Sequence, residues 1–290
     1  MQHSQEEKRK ERKMNRADII AEIREKRSLL CVGLDSDPLR LPHHLPQSAE
    51  GVWVFNKKII EATAPYTVAY KPNAAFYEAM GATGWQVLEE TIRYIKERHP
   101  ECFVILDAKR GDIGNTSSLY ARAAFEQMGA DALTIAPYMG EDSVKPFLAY
   151  DGKWAVLLAL TSNKGANNFQ QQRLESGQKL YESVLQESQK WGTPENMMYV
   201  CGATQAEYFQ EIRHLVPEHF LLVPGVGAQG GSLSEVCRHG LTRSSGGLLI
   251  NSSRGIIFAS SGEDFGTAAA AVAREMQTEM AHLLKSYTDL

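Results

Sequence analysis

Eight short apolar runs alternate along the chain with segments whose apolar residues recur at helical spacing. Most of the runs lack polar residues at alternate positions, which is typical of strands covered on both faces in a parallel sheet. The runs comprise residues 29–34, 67–70, 102–106, 132–136, 154–160, 197–201, 220–223 and 247–250. Helical periodicity occurs in residues 85–98, 119–128, 174–190, 206–215 and 268–284. Eight strands that alternate with helices predict a single (β/α)8 TIM barrel, and a doubly wound open sheet is the alternative.

The N-terminal segment differs from the rest of the chain. Residues 2–13 contain no aliphatic side chain and no Phe, Tyr or Trp. We therefore expect residues 1–13 to form a solvated extension, either disordered or a frayed helix. From Asn15 onward the apolar residues recur at helical spacing and predict an N-terminal helix that ends near Arg27. We expect one barrel domain over residues 14–290, because no linker composition divides it.

Composition and charge narrow the class of protein. The 290 residues are 43% hydrophobic and 23% charged, which suffices for a buried core and excludes a disordered or fibrous chain. The 31 Lys and Arg against 35 Asp and Glu give a net charge of −4, which argues against general binding to nucleic acid or anionic membranes. No apolar run reaches the ~18 residues of a membrane span, and the charged N-terminus lacks a signal-peptide core. We therefore expect a cytoplasmic protein.

The cysteines and histidines form no recognisable metal motif. The four cysteines lack C-x-x-C spacing, and three of them lie in apolar runs, so we interpret them as buried thiols. The eight histidines include no H-E-x-x-H motif. The sequence therefore predicts no metal site.

Charged residues follow the first three apolar runs directly. A (β/α)8 barrel has its active site at the C-terminal ends of its strands, and Asp35, Lys71, Asp107, Lys109 and Asp112 occupy such positions. Side chains at 107 and 109 are two apart, so they face the same way on a strand and are predicted to point into the barrel mouth. A buried structural ion pair is the alternative for these two residues. The three carboxylates and two ammonium groups together indicate a functional site.

The ends of the seventh and eighth runs carry a candidate phosphate site. Residues 225–231 read G-V-G-A-Q-G-G, a loop whose backbone can approach an anion and whose N–H groups can form a concave nest. Arg254 follows the eighth run and offers a guanidinium fork suited to a phosphate dianion. Barrels often bind phosphate after these two strands, so the two motifs predict a phosphorylated ligand.

The segment V-I-L-D-A-K-R-G-D-I-G-N-T at residues 104–116 closely resembles the signature of the orotidine 5′-phosphate decarboxylase family. Further matching segments follow the same order along the chain, at residues 31–35, 71–73, 160–163 and 223–231 and at Arg254. The resemblance is to the longer bacterial branch of the family. It implies a TIM barrel that converts orotidine 5′-phosphate to uridine 5′-phosphate in pyrimidine biosynthesis, as a homodimer without metal or organic cofactor.

The resemblance also implies a role for each site residue. Lys109 would protonate C6 of the pyrimidine as carbon dioxide leaves, and Asp107 would lie against the substrate carboxylate. Lys71 and Asp35 would bind the ribose hydroxyls and complete the charged array. Ser162 would contact the pyrimidine ring.

The remaining roles concern the phosphate and a second subunit. Gln229 and Arg254 would bind the phosphate, and Pro224 would line the substrate site beside them. Three residues would cross a dimer interface into the partner's site: Asp112, Ile113 and Thr116. Asp112 would thereby complete the catalytic set that Lys71, Asp107 and Lys109 begin.

Three other functions fit parts of the pattern. Metal-dependent sugar-phosphate decarboxylases and hexulose-phosphate synthases share the D-x-K-x-x-D element, and sensitivity to a chelator would indicate them. A Schiff-base aldolase could use Lys71 or Lys109, although such a lysine is better placed in an apolar pocket than between carboxylates. A sensor of phosphorylated ligands would need the glycine-rich loop and Arg254, but not the pairing of Lys109 with Asp107.

Overall fold

A closed parallel barrel forms the centre of the molecule. The computed structural model describes residues 13–227 and 230–290, and in it each strand pairs with the next while the last pairs with the first. The strands are β1 (Leu30–Leu34), β2 (Ala69–Pro72), β3 (Phe103–Arg110), β4 (Ala132–Ile135), β5 (Trp154–Leu160), β6 (Met197–Cys201), β7 (Leu221–Pro224) and β8 (Leu248–Ser252). The predicted (β/α)8 barrel is therefore confirmed. The pairing of β1 with β8 excludes the doubly wound open sheet.

Helices connect the strands and cover the outside of the barrel. They are α1 (Arg16–Lys26), α2 (Ala49–Thr63), α3 (Ala74–Glu78), α4 (Gly81–Arg98), α5 (Gly114–Arg122), α6 (Glu141–Leu148), α7 (Leu180–Ser188), α8 (Phe209–Leu215), α9 (Leu233–Gly240), α10 (Arg254–Ile257) and α11 (Phe265–Tyr287). The helix predicted over residues 174–190 is shorter and spans only α7, because residues 161–179 form a connection after β5 that contains one 3-10 helix (Lys164–Asn168). No helix in the described part of the chain is long and apolar enough to cross a membrane.

The strands are buried on both faces, which explains their uninterrupted apolar composition. Every residue of β1, β2, β4 and β6 is buried. One face of each strand fills the barrel interior and the other packs beneath the helices. The outer helices also pack against one another, since the ring of Phe55 on α2 stacks on Phe258 and Phe265, with ring centroids 5.5 and 5.1 Å away.

Helix α1 begins where the sequence predicts it. The side chain of Asn15 accepts a hydrogen bond from the backbone N–H of Asp18, and the Asp18 carboxylate accepts from that of Asn15, so the two form a capping box. Trp154, the first residue of β5, donates from Nε1 to the carbonyl of Met14 at 2.9 Å and fixes the entry to the helix. Of the predicted extension, residues 1–12 lie outside the described residues.

Candidate active site

A cavity of about 430 Å³ opens at the C-terminal ends of the strands. The barrel topology brings together here residues that are far apart in the chain, because each strand delivers its last side chains to the same end. Seven of the predicted site residues line the cavity: Asp35, Lys71, Asp107, Lys109, Ser162, Pro224 and Arg254. The sequence-based expectation that strand ends converge on one site therefore agrees with the geometry.

The carboxylate of Asp107 lies at the centre of the charged groups. Its Oδ2 atom is 2.7 Å from Nζ of Lys71, and its Oδ1 atom is 2.7 Å from Nζ of Lys109. Oδ1 also accepts a hydrogen bond of 2.9 Å from the hydroxyl of Thr134, on β4. Lys71 and Asp107 are buried, whereas 52% of the Lys109 side chain is exposed to the cavity and solvent. Lys109 is thus the ammonium group that a ligand can reach most directly.

Electrostatic interactions keep the buried pair ionised. Burial alone raises the pKa of Asp107, but the ammonium groups of Lys71 and Lys109 outweigh it and hold that pKa well below its usual value. Burial likewise lowers the pKa of Lys71, and the carboxylates of Asp107 and Asp35 outweigh this effect and raise it above the ordinary lysine value. Asp107 and Lys71 are therefore both charged at neutral pH.

The end of β3 that carries Asp107 and Lys109 contains a β-bulge. The register of β3 against β4 runs Leu106 with Leu133 and then Arg110 with Ile135, so β3 carries two extra residues. Lys109 lies in this bulge with a φ of +47°, a left-handed conformation that is rare for residues other than glycine. Strand alternation predicts the correct direction for the two side chains, but β3 extends to Arg110 instead of ending at Leu106.

The carboxylate of Asp35 offers an unused acceptor. Asp35 follows β1, and its Oδ1 atom is buried without a hydrogen-bond partner among the described residues. A buried carboxylate oxygen in a cavity is a strong acceptor for a ligand hydroxyl, because leaving it unpaired costs free energy.

Ser162 follows β5, and a close contact with β6 places it. A Cβ atom on Gly202, which follows β6, would lie 2.6 Å from the backbone N and 2.7 Å from Cα of Ser162. Only glycine allows the loop after β5 to approach so closely. The amide side chain of Gln170 accepts a 2.7 Å hydrogen bond from the backbone N–H of Thr161 and holds the same loop from the other side.

The phosphate end of the predicted site is built from the ends of β7 and β8. Gly225 and Gly227 have φ of +96° and +71°, so the loop after Pro224 requires glycine at both positions. Arg254 is the first residue of α10, is exposed, and lines the same cavity. The predicted phosphate ligand Gln229 lies outside the described residues.

The loop after β3 takes no part in the cavity of its own chain. None of the described residues between Gly111 and Thr116 lines the cavity. The backbone N–H of Ile113 donates to the Asp112 carboxylate, and the Ile113 side chain is 55% exposed. Among the predicted site residues that the structure describes, the single chain does not bring three to the cavity: Asp112, Ile113 and Thr116.

Thr134 is a cavity residue that the sequence analysis does not single out. It is the one polar residue in the fourth apolar run, and that interruption is the signal available in the sequence. Asn251, at the end of β8, is a second buried polar residue in the cavity wall.

Comparisons with known proteins agree with this geometry. The family model described as orotidine 5′-phosphate decarboxylase / HUMPS family matches residues 28–269, which include all eight strands. The chain belongs to this family. It is 56% identical over 273 residues to the orotidine 5′-phosphate decarboxylase of Bacteroides fragilis strain YCH46, covering 94% of this chain and 99% of that protein. The corresponding protein of Flavobacterium johnsoniae is 53% identical over 273 residues, with the same coverage.

Solved structures of the family have the same fold. A putative orotidine-monophosphate decarboxylase from Toxoplasma gondii superposes with a TM-score of 0.84 at 35% identity, covering 94% of this chain and 98% of that one. The orotidine 5′-phosphate decarboxylase of Leishmania donovani has a TM-score of 0.78 at 39% identity, covering 93% and 99% of the two chains. The fold and the family are therefore established by independent comparisons.

Proposed function

We propose that the protein decarboxylates orotidine 5′-phosphate to uridine 5′-phosphate and carbon dioxide, a step of pyrimidine biosynthesis. The observation that carries the proposal is the carboxylate of Asp107 held 2.7 Å from two ammonium groups, in a cavity whose other end has the glycine-rich loop and Arg254. The names of the relatives support the same activity.

The chemistry explains why the site needs preorganised charge. Cleavage of the bond between C6 and the carboxylate carbon leaves an electron pair in an sp² orbital in the plane of the ring, where it cannot delocalise into the π system. Stabilisation of that carbanion is then largely electrostatic. The ammonium group of Lys109 attracts the developing charge and donates a proton to C6, and its exposure allows it to regain a proton from solvent. Asp107 orients Lys109 and repels the substrate carboxylate.

The other cavity residues are proposed to bind the rest of the nucleotide. The free acceptor of Asp35 and the ammonium group of Lys71 suit the ribose hydroxyls, and Ser162 suits the pyrimidine. Pro224, Arg254 and Gln229 are proposed to bind the phosphate, and the first two line the cavity. Binding of the phosphate at one end of the cavity can hold the pyrimidine ring in position for reaction at the other end.

We also propose a homodimer in which Asp112, Ile113 and Thr116 complete the partner's site. The proposal is supported by the absence of residues 111–116 from the cavity lining of the single chain. It is also supported by the apolar surface beside that loop, where Ile113, Tyr138 and Met139 are exposed to solvent in the single chain.

Two other activities are less well supported. Both oxygens of Asp107 already accept hydrogen bonds from ammonium groups, which disfavours a divalent cation at that carboxylate, as a metal-dependent sugar-phosphate enzyme would require. A Schiff-base lysine must lose its proton, and the raised pKa of Lys71 opposes this.

The test is turnover of orotidine 5′-phosphate by the purified chain with excess chelator, measured by the loss of orotate absorbance. Undiminished turnover in chelator supports the proposal. Folded protein that turns over only when a metal is restored indicates the metal-dependent branch, and trapping of the substrate by borohydride indicates the aldolase. Folded protein that is inactive under all these conditions contradicts the proposed function.

A further inference from the structure

Thr134 connects the two catalytic residues of β3 from the neighbouring strand. It lies on β4 and is 1% exposed. Its hydroxyl donates to Oδ1 of Asp107 at 2.9 Å and accepts from the backbone N–H of Lys109, also at 2.9 Å. A hydroxyl has one proton and two lone pairs, so both bonds can form together.

The hydrogen bond from the Lys109 N–H to Thr134 takes the place of a backbone hydrogen bond that is lost between β3 and β4. The register between β3 and β4 is interrupted after Leu106, and it resumes where the N–H of Ala136 donates to the carbonyl of Arg110 at 2.9 Å. Between these points the N–H of Lys109 donates to the Thr134 side chain. A backbone N–H that is partly withdrawn from water needs an acceptor, and in this bulge the threonine hydroxyl supplies it.

The bulge is also where the backbone is strained. Lys109 has a φ of +47°, and a residue with a Cβ atom keeps this conformation only when its surroundings determine it. The direction of the Lys109 side chain follows from that backbone conformation. The hydroxyl of Thr134 holds the backbone of Lys109 and the carboxylate of Asp107, so it sets the position of Nζ relative to Asp107.

We propose that Thr134 is a positioning residue, which acts through Lys109 and Asp107 and requires its hydroxyl group. The proposal rests on the proposed function for its catalytic consequence, but the hydrogen bond that it depends on can be measured separately. The proposed role of Thr134 requires its hydroxyl group and does not require the shape of its side chain. Two substitutions change these two properties separately.

The variants are Thr134→Val, which keeps the shape and removes the hydroxyl, and Thr134→Ser, which keeps the hydroxyl and removes a methyl group. In Thr134→Val we expect kcat for orotidine 5′-phosphate to fall ~10–100-fold while KM changes less than ~3-fold, since the loss concerns the reacting end of the site. In Thr134→Ser we expect kcat within ~3-fold of wild type. A residue that only packs in a buried strand gives the opposite order, with valine equal to or better than serine, and that order overturns the proposal.

A matched control removes a buried hydroxyl elsewhere. Thr67 is fully buried just before β2, at the other end of the barrel, and donates to the carbonyl of Thr63 at 2.8 Å. Thr67→Val should lower the melting temperature without changing kcat. A fall in kcat as large as that of Thr134→Val would mean that any buried hydroxyl has this effect, and would overturn the proposal.

Hydrogen exchange at the Lys109 amide tests the positioning without turnover. We expect exchange at this amide to be at least ~10-fold faster in Thr134→Val than in wild type, and unchanged in Thr134→Ser and Thr67→Val. If the wild type does not convert orotidine 5′-phosphate, the proposed function is wrong, whereas the exchange rates still decide whether Thr134 holds the bulge. Equal protection of the Lys109 amide in wild type and Thr134→Val overturns the proposal whatever the substrate.

Discussion

The Nζ atom of Lys71 lies 2.7 Å from Oδ2 of Asp107, and both side chains are almost completely buried. Against the effect of burial, Lys71 lowers the pKa of Asp107 and Asp107 raises the pKa of Lys71, with smaller contributions from Lys109 and Asp35, so both groups stay charged. A buried ion pair contributes little net stability when it forms, but removal of one partner leaves a charge without compensation. Substitution of either residue should therefore lower the free energy of unfolding, in addition to any effect on activity.

We expect Lys71→Met to lower the free energy of unfolding by about 3 kcal/mol at pH 7, because Asp107 stays buried with one ammonium group fewer. The double variant Lys71→Met/Asp107→Asn should recover part of this loss, because it also removes the buried charge. Urea unfolding measures the free energy of unfolding of both variants. As a control, Lys145→Met breaks the exposed pair with Glu141 and should change stability by less than about 1 kcal/mol. Equal effects of Lys71→Met and Lys145→Met would contradict the prediction.

Arg254→Ala tests the phosphate assignment. Arg254 follows β8 and lines the cavity, so we expect the variant to lose about 2–4 kcal/mol of interaction with the phosphate, and kcat/KM to fall accordingly. Orotidine, which has no phosphate, should be converted equally slowly by the variant and by wild type. Arg238→Ala, an exposed arginine on α9, should leave both substrates unaffected. The assignment is wrong if Arg254→Ala reduces conversion of both substrates by the same factor.

The sequence predicts those features of the site that depend on residues close together in the chain. An apolar run followed directly by a charge is a local pattern, and it predicts the positions of Asp35, Lys71 and Asp107 at the mouth of the barrel. The barrel closure that brings them together follows from the alternation of eight strands with helices. Local pattern and topology agree here because parallel strands deliver their ends to one face.

Thr134 could not be predicted in the same way. A threonine within A-L-T-I is typical of a buried strand, where β-branched residues pack well. Its importance depends on a bulge in the neighbouring strand, and the register of β3 against β4 cannot be read from either segment alone. The positive φ of Lys109 is hidden for the same reason, since no glycine marks the position.

The burial of His219 predicts that the protein loses stability in acid. It is buried just before β7, its ring lies 5.2 Å from that of Tyr199, and neither ring nitrogen has a partner among the described residues. Burial, together with the charges of Arg213 and Arg16, lowers its pKa to about 4.

The folded state therefore disfavours protonation of His219, while the unfolded chain binds a proton near pH 6.5. The contribution of neutral His219 to the free energy of unfolding is complete above pH 6.5 and is lost as the pH falls towards 4. This group alone should lower the free energy of unfolding by about 2 kcal/mol between pH 8 and pH 5.

His219→Leu should remove that part of the pH dependence, which urea unfolding at the two pH values measures. The exposed His282 gives the control, since His282→Asn should retain the wild-type dependence. An unchanged pH dependence in His219→Leu would show that His219 is not the responsible group.

The position of Asp112 predicts complementation between inactive variants. Asp112 follows the strand that carries Asp107 and Lys109, yet no residue of its loop lines the cavity of its own chain. In the proposed dimer each site combines Lys109 of one chain with Asp112 of the partner. Lys109→Ala and Asp112→Ala should then each be nearly inactive as homodimers, while circular dichroism shows both to be folded.

When the two variants are unfolded and refolded together, about half of the dimers should be mixed if the chains pair at random. One site of a mixed dimer pairs the intact Lys109 of one chain with the intact Asp112 of the other, and the second site carries both substitutions. The mixture should therefore have about a quarter of the wild-type activity. A site built within one chain gives no recovery, because every chain still carries one substitution. Activity no greater than the sum of the separate variants would rule out the shared site, and refolded wild type under the same conditions controls for losses in refolding.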